Sequence, residues 1–347
     1  MKKLKVLVLM HQELMPPATT EGLSAEEIHP WKMEYDVLWA LQELGHETLP
    51  LGVKDELLPV RQAIEDWKPH VAFNLMTHFH GVGVYDAHLV SYLELLKTAY
   101  TGCNPRGMLV AGDKALSKQI LNWHRIQVPG HQVFRRGDRF RINANLKRLR
   151  FPLIVKSAVE HASQGIAQAS VVQDFGKLEE RVAFIHRTIG TEAIAEEFIE
   201  GREITVGVLG NRRLQVFPPW EMTFNNLPEG AANIATSKVK WDLKYQKKVG
   251  LKTEMAKGLP ENLERRIPRL ARRIYRALRL SGYARIDFRL TKEGQLFVLE
   301  ANPNPDLSFG EDFAEAAESQ GLAYPKLVQT LLNLGRRYQP AWKEAGT

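Results

Sequence analysis

In the first third of the chain, apolar positions keep two alternating rhythms. Lys5–Met10 and His70–Asn74 are short, nearly continuous apolar stretches, the pattern of strands buried on both faces, and Glu47–Leu51 reads as a short strand between them. Over Trp31–Leu44, residues Trp31, Tyr35, Leu38, Trp39 and Leu41 recur near helical spacing until Gly45 stops the run. Arg61–Trp67 and His88–Leu96 read as further helices, the second leading to Ala99-Tyr100-Thr101. Strands alternating with helices at this pitch predict an open, parallel, Rossmann-like α/β unit over residues 1–103.

The rhythm then changes. A helix over Asp113–Arg125 is broken at Val128-Pro129, and Pro152–Lys156 is a buried strand that ends in a lysine. Another strand covers Ala193–Ile199. Glu203–Leu209 and Leu214–Pro218 form a hairpin around Gly210-Asn211. Leu259–Leu280 carries apolar Leu263, Ile267, Leu270, Ile274 and Leu278 at steps of three and four, with Arg265, Arg266, Arg269, Arg272, Arg273, Arg276 and Arg279 elsewhere. That is an amphipathic helix with a solvated basic face, bent at Pro268. Tyr283–Leu290 and Leu296–Leu299 form a second hairpin, and Leu322–Leu334 a terminal helix. Antiparallel hairpins mixed with helices predict two α+β subdomains, 104–192 and 193–347.

Composition adds little to the pattern. The chain is 44% hydrophobic and 25% charged, ordinary for a globular enzyme of several domains. Cys103 is the sole cysteine, so no intrachain disulfide forms and a reducing, cytoplasmic setting is expected. The apolar run after Met1 ends at His11-Gln12-Glu13, too short for a signal peptide, and no run reaches the roughly 18 apolar residues of a membrane span. A net charge of +7 permits a polyanionic partner without choosing one.

Chemistry concentrates in the second hairpin. Arg285 and Asp287 share a face of one strand, and Glu300 and Asn302 end the next. Two carboxylates and an amide oxygen make a hard oxygen site suited to magnesium that also binds substrate phosphates. An arginine beside it can offset charge on a phosphoryl group in transfer. Lys156, followed by Ser163-Gln164-Gly165, is a point charge plus a small-residue loop able to lay N–H groups on phosphate, although a strand-end lysine read alone is more often solvated. Glu196-Glu197-Phe198-Ile199 runs into Gly201-Arg202-Glu203, a strand-to-linker element that can meet an adenine edge, with Glu203 toward ribose hydroxyls; alone it is also an ordinary acidic turn. Gly81–Asp86 lacks the third glycine of a dinucleotide fingerprint. His78 and His80 have no partner cluster for a metal, and Cys103 reads as a buried, inert thiol.

These signals in this order resemble the ATP-grasp superfamily, and within it the D-alanine–D-alanine ligases. The matching stretches run from Phe73 to Leu332: FNL, YTG, DKALSK at 113–118, PLIVK at 152–156, EEFIEGREITVGVLG at 196–210, KW at 240–241, GYARIDF at 282–288 and LEANPNP at 299–305. The resemblance implies a Rossmann-like first domain and two subdomains that grip ATP. It implies Lys114 and Lys156 at the nucleotide phosphates, Glu160 and Ser163-Gln164-Gly165 in the covering loop, and Glu196 to Ile199 at adenine. Glu203 then falls at ribose, Lys240 at the γ-phosphate, Arg285 at an acyl phosphate, and Asp287, Glu300 and Asn302 on two magnesium ions, or manganese in their place.

Departures fall where substrates are read. His11-Gln12-Glu13 replaces a Gly-Gly-x-Ser-x-Glu stretch, Asn304-Pro305-Asp306-Leu307 replaces Ser-Pro-Gly-Met, and His161-Ala162-Ser163-Gln164 replaces Gly-Ser-Ser-Val. Glu311, with Asp312 beside it, falls near the position where the family has the serine that receives the second substrate's carboxylate. Two acids there would repel a carboxylate and suit an amine. The expected activity is an ATP-dependent carboxylate–amine ligase working through an acyl phosphate on small-molecule acid and amine substrates, D-alanine being disfavoured. A homodimer is compatible with it; a membrane or nucleic-acid partner is not expected. The alternatives are a true D-alanine–D-alanine ligase, an ATP-grasp kinase, and a nucleotide- or nucleic-acid-binding module without turnover.

Overall fold

The computed structural model describes residues 2–160 and 163–344. Strands β1 (Lys5–His11), β2 (Glu47–Val53) and β3 (Val71–Asn74) form a parallel sheet in the order β2-β1-β3, which a parallel bridge from Ala72 to Tyr100 extends. The sheet is buried on both faces. Val6, Val8 and Met10 pack with Val37 and Leu41 of the helix Lys32–Glu43 and with Leu327, Val328 and Leu331 of the helix Tyr324–Arg337. Leu7 and Leu9 belong to the opposite core, with Val60, Leu89 and Leu93. The first unit is therefore not closed by residues 1–103 alone: one of its faces is covered by a helix from the far end of the chain.

Strands β4 (His131–Phe134), β5 (Leu153–Ser157), β6 (Val171–Val172) and β7 (Ala193–Glu197) form an antiparallel sheet in the order β4-β7-β5-β6. Alternation sends Leu153, Val155, Ala193 and Ala195 into a core with Leu178 and Val182 of the helix Phe175–Phe184. Lys156, Ile194 and Glu196 take the other face. The sequence places Ala193–Ile199 at the head of the last subdomain; its strand instead hydrogen-bonds between β4 and β5, so a division at 192/193 would cut a sheet.

The third sheet is antiparallel, in the order β11-β10-β8-β12-β13, and comprises β8 (Arg202–Leu209), β9 (Gln215–Val216, paired with β8), β10 (Trp220–Phe224), β11 (Leu251–Met255), β12 (Tyr283–Leu290) and β13 (Leu296–Asn302). Ile204, Val206, Val208, Ala284, Ile286 and Phe288 pack against Leu263, Ile267, Leu270 and Ile274 of the basic helix, which runs Glu261–Ala277 through Pro268. That core is continuous with Leu7 and Leu9 of the first sheet. Among the described residues, no helix is long and apolar enough to cross a membrane.

The terminal helix meets the first unit at Gly335, where an added Cβ would stand 2.2 Å from the Tyr100 carbonyl oxygen. In a free helix alanine is favoured over glycine by about 1 kcal/mol. Here the clash reverses the sign, and Gly335→Ala should destabilise by about 1–3 kcal/mol. Thermal unfolding should show a melting temperature lower by several degrees; an unchanged or raised one would mean that the contact has slack.

Candidate active site

The hydrophilic face of the second sheet carries a buried charge cluster. Glu196 of β7 has one carboxylate oxygen 3.1 Å from Lys118 Nζ and the other 3.1 Å from Lys156 Nζ at the end of β5. The three side chains are 1%, 1% and 9% exposed, so water does little to screen them. Burial pushes the Lys118 ammonium down to about 8, against the pull of Glu196. Burial acts the same way on Lys156, but Glu196 and Glu300 outweigh it and hold that ammonium above its ordinary range. Glu196 is held low by its two lysines in spite of burial. Two cations on one anion leave a surplus of positive charge, which suits a polyphosphate.

Lys118 is absent from the residues that the sequence singles out. It lies on the helix Lys114–Trp123, whose N-terminus is capped by Asp113 through the N–H groups of Ala115 and Leu116. The buried side of that helix is Lys114, Ser117, Lys118 and Leu121, so the signal was a pair of lysines at i and i+4 in register with an apolar position. Lys118 also donates to the Leu299 carbonyl at 2.5 Å. Lys114 donates to the Glu160 carbonyl at 2.6 Å and lies 3.5 Å from Glu300. One helix thus ties the second sheet to the third.

The facing side of the third sheet holds the hairpin residues. Asp287 pairs with Glu300 and Arg285 with Asn302 across β12 and β13. This depends on a bulge: Phe288 pairs with Val298, leaving Leu299 as an extra residue. Without it, Glu300 would stand opposite Ile286 and turn to the core. Arg285 grips Asp287 through two hydrogen bonds, 2.8 and 2.9 Å, and lies 3.3 Å from Asp312. Burial raises the Asp287 carboxyl, with the charges of Glu300 and Asp312 adding to it against Arg285. Arg289, also on β12, donates to Glu203 at 2.7 Å and to the carbonyls of Gly201 and Asn233. Burial raises the Glu203 carboxyl too. The Asn302 side-chain oxygen accepts from the Asn304 N–H at 3.0 Å.

Two loops meet over these faces. Ser163 and Gly165 are both left-handed, at φ of 58° and 73°, and a Cβ on Gly165 would meet Ile189 at 2.8 Å. The Ser237 N–H donates to the Ile166 carbonyl at 2.9 Å and its hydroxyl to the Ser163 carbonyl, while the Gln168 amide makes both of its bonds to the Ala232 backbone. Thr236 caps the short helix Ser237–Trp241, which carries Lys240. Burial, then Arg285, lowers the Lys240 ammonium, with Asp306, Glu300 and Asp287 opposing, so Lys240 faces the hairpin acids. Glu160 is half-buried beside the loop, its carboxyl raised by burial against Lys114. Gln164 is exposed. His161 and Ala162 lie outside the described residues.

Not every expected residue joins the cluster. Glu197 accepts from the Arg150 N–H at 3.0 Å and from its guanidinium at 3.3 Å, on the face of β7 opposite Glu196. Phe198 and Ile199 are half-buried in the link to β8, and the Phe198 N–H is engaged by the Pro152 carbonyl. His78 stacks on buried His11 at 4.1 Å, and among the described residues no group of three or more His, Cys, Asp or Glu is arranged to hold a metal. Burial raises the Cys103 thiol to about 12, which leaves it protonated. Asp312 and Glu311 do not act as a pair of free acids, because Asp312 is drawn to Arg285.

A family model described as the C-terminus of D-Ala–D-Ala ligase matches residues 120–333. The chain belongs to the D-alanine–D-alanine ligase family. A D-alanine–D-alanine ligase of Desulforudis audaxviator is 30% identical over 316 residues, covering 91% of this chain and 96% of that protein. An uncharacterized Sinorhizobium fredii protein, y4sG, is 32% identical over 89% of both. The ATP complex of the Bacillus anthracis D-alanine–D-alanine ligase superposes with a TM-score of 0.74 at 22% identity, covering 99% of this chain and all of that one. The VanG D-Ala:D-Ser ligase of Enterococcus faecalis gives 0.69 at 21%, covering 96% of this chain and all of that one. The fold is ATP-grasp, and this D-alanine–D-alanine ligase family member is an ATP-dependent, ADP-forming ligase that makes a C–N bond.

Where the first unit meets the loop after β13, Glu34 is 1% exposed, and burial, then Asp306, pushes its carboxyl up to about 8. The folded state therefore binds a proton that the unfolded chain releases near pH 4.5, so this group's stabilising effect is complete below pH 4.5 and is lost as pH rises to 8. Glu34→Gln keeps the neutral form. Its melting temperature should match wild type near pH 5 and exceed it by several degrees at pH 8.5; parallel pH profiles would place the Glu34 carboxyl in the ordinary range.

Proposed function

We propose that this ligase activates a small carboxylic acid as its acyl phosphate on magnesium-bound ATP and transfers the acyl group to an amine other than D-alanine. The observation that carries the reading is the opposition of two charge sets. A surplus of buried lysine charge on the second sheet faces Asp287, Glu300 and Arg285 on the third.

ATP lies between the two sheets. Lys118, Lys156 and Lys114 hold its phosphates, and Glu196 keeps the first two of these aligned by taking one oxygen to each. Ser163, Gln164 and Gly165 cover the phosphates with backbone N–H groups. Phe198 and Ile199 flank adenine. Glu203, with one oxygen held by Arg289, offers the other to ribose. The all-oxygen set of Asp287, Glu300 and Asn302 fits magnesium: two acids face one another at close quarters, and the charge of Glu300 pushes the Asp287 carboxyl up. Two ions held there would neutralise phosphate charge. Lys240 and Arg285 stabilise the charge that the phosphoryl group spreads over its oxygens in transfer. The contacts of Ser237 with Ser163 and Ile166 close the loops and keep water from the acyl phosphate.

The substrate side departs from the D-alanine pattern. Glu13, in the segment that replaces the family's ammonium-binding stretch, is exposed and paired with Lys54 at 3.2 Å, and Asp306 stands in the loop after the last metal ligand.

ADP release should require both an acid and an amine in a screen of amino acids, short peptides and polyamines, with product masses read by mass spectrometry. D-alanine alone should give nothing above background, and robust D-alanyl-D-alanine formation would make the chain a true D-alanine–D-alanine ligase. Glu300→Gln should lower turnover by about a hundredfold or more with circular dichroism unchanged. Full activity in that variant removes Glu300 from the metal site. Glu203→Ala should weaken ATP binding, and an unchanged affinity removes it from the ribose.

A further inference from the structure

Near Arg285, Asp306 exerts its charge on two further carboxylates, Glu34 and Glu311, drawn from opposite ends of the chain. Glu34 comes from the helix Lys32–Glu43 of the first unit, and Asp306 and Glu311 from the loop after β13. Each neighbouring cation but one is committed elsewhere. Lys32 is 2.6 Å from Asp36, and Arg285 is held by Asp287 and Asp312. Lys240, the remaining one, faces Arg285, Asp287, Glu300 and Asp306. Among the described residues, Glu34, Asp306 and Glu311 take part in no ion pair, and Asp306 accepts only from Ser308. The two parts are clamped together: the Phe309 N–H donates to Asp36 at 2.8 Å, and Lys32 donates to the Phe309 carbonyl.

A second, independent feature points to a ligand. Among the described residues, the hydroxyl of Tyr324, a residue 4% exposed, is buried with no hydrogen-bond partner in the field of Asp36, Asp306 and Glu34, and Glu34 Oε1 is likewise buried without one. Buried polar atoms are normally satisfied, and leaving them so is costly. Here a donor-acceptor hydroxyl and an acceptor oxygen lie in one acidic cluster, the chemistry that holds an ammonium.

We propose that Glu34, Asp306, Glu311 and Tyr324 form a subsite for a second ammonium group of the amine substrate, so that the amine partner is a diamine or polyamine rather than an α-amino acid. The inference rests on the ligase reading above. One end of such a molecule reaches the acyl phosphate by Arg285 and Lys240. The other lies against exposed Asp306 and Glu311 at the rim, with Glu34 and the Tyr324 hydroxyl beneath. A free α-amino acid would bring its carboxylate toward Asp306 without offsetting any of the charge there, and like charges at close range repel enough to weaken binding tenfold or more.

Calorimetry on the full chain, with magnesium and a non-hydrolysable ATP analogue present, tests this with 1,4-diaminobutane, n-butylamine and D-alanine. The diamine should bind at least tenfold more tightly than butylamine, and D-alanine more weakly than either. Glu34→Gln and the surface variant Asp306→Asn should each bring the diamine down toward the butylamine affinity while the analogue binds as before. Equal affinity for diamine and monoamine, tighter binding of D-alanine, or a diamine preference that survives both variants overturns the subsite and leaves the ligase reading standing. Failure of the wild-type chain to bind the analogue overturns the ligase reading and the inference with it.

Discussion

A single buried carboxylate between two lysines sets the terms for the rest of the molecule. Removing one partner from such a group costs about 3–5 kcal/mol, because the remaining charge cannot be solvated. Glu196 and Lys156 therefore sit on adjacent antiparallel strands, where backbone pairing fixes their separation, and Lys118 arrives from a helix whose first turn is capped by Asp113. The cluster is held rigid by its own ion pairs, as the proposed phosphate site, which must stabilise a fleeting charge distribution, would need to be. Its surplus of positive charge is a standing cost to the fold, and a polyphosphate is the kind of ligand that offsets it.

The third sheet answers with the opposite sign, and its geometry turns on one extra residue. The bulge at Leu299 changes the parity of β13, which brings Glu300 onto the face of Asp287, and the Leu299 carbonyl accepts from Lys118. The same irregularity thus aims an acid and anchors a lysine of the opposing cluster. The proposed site between these two sheets is then bordered by contacts from all three units. His29 lies 3.4 Å from the Lys240 carbonyl, Ser237 bonds the loop after β5, and Lys32 and Asp36 hold Phe309. Contacts between loops are weaker than shared cores, so opening for substrate entry should occur at these loop contacts and not along the continuous core that joins the first sheet to the third.

Much of this was legible in the sequence, for physical reasons that can be named. Arg285, Asp287, Glu300 and Asn302 could be placed because charged residues alternating with Ile286 and Phe288 on a short hairpin have few places to go. The parallel first sheet showed in its unbroken apolar runs. What failed to show was whatever depends on contacts far apart in the chain. Lys118 looks like any helical lysine until the fold buries it against Glu196. Glu197 was grouped with its neighbours, but strand alternation turned it to Arg150. The strand Ala193–Glu197 could not be assigned to a sheet from its own residues, since its partners lie at 131–134 and 153–157.

The acids at the amine side follow the same logic. Glu311 and Asp312 are adjacent in sequence and read as a repelling pair, yet Asp312 is the second anion of Arg285. The negative charge that the loop keeps is shared with Glu34, hundreds of positions away and in a helix whose buried face is otherwise Val37, Ala40 and Leu41. An acid on the apolar side of a helix is costly unless it is protonated or faces a cation. In the structure it stands next to Asp306, which raises the cost and favours the proton. A positively charged substrate group reverses that balance by offsetting both carboxylates at once. The seam between the first unit and the loop after β13 would thereby discriminate by charge, while the two ATP-gripping sheets, built from other residues, go on unchanged.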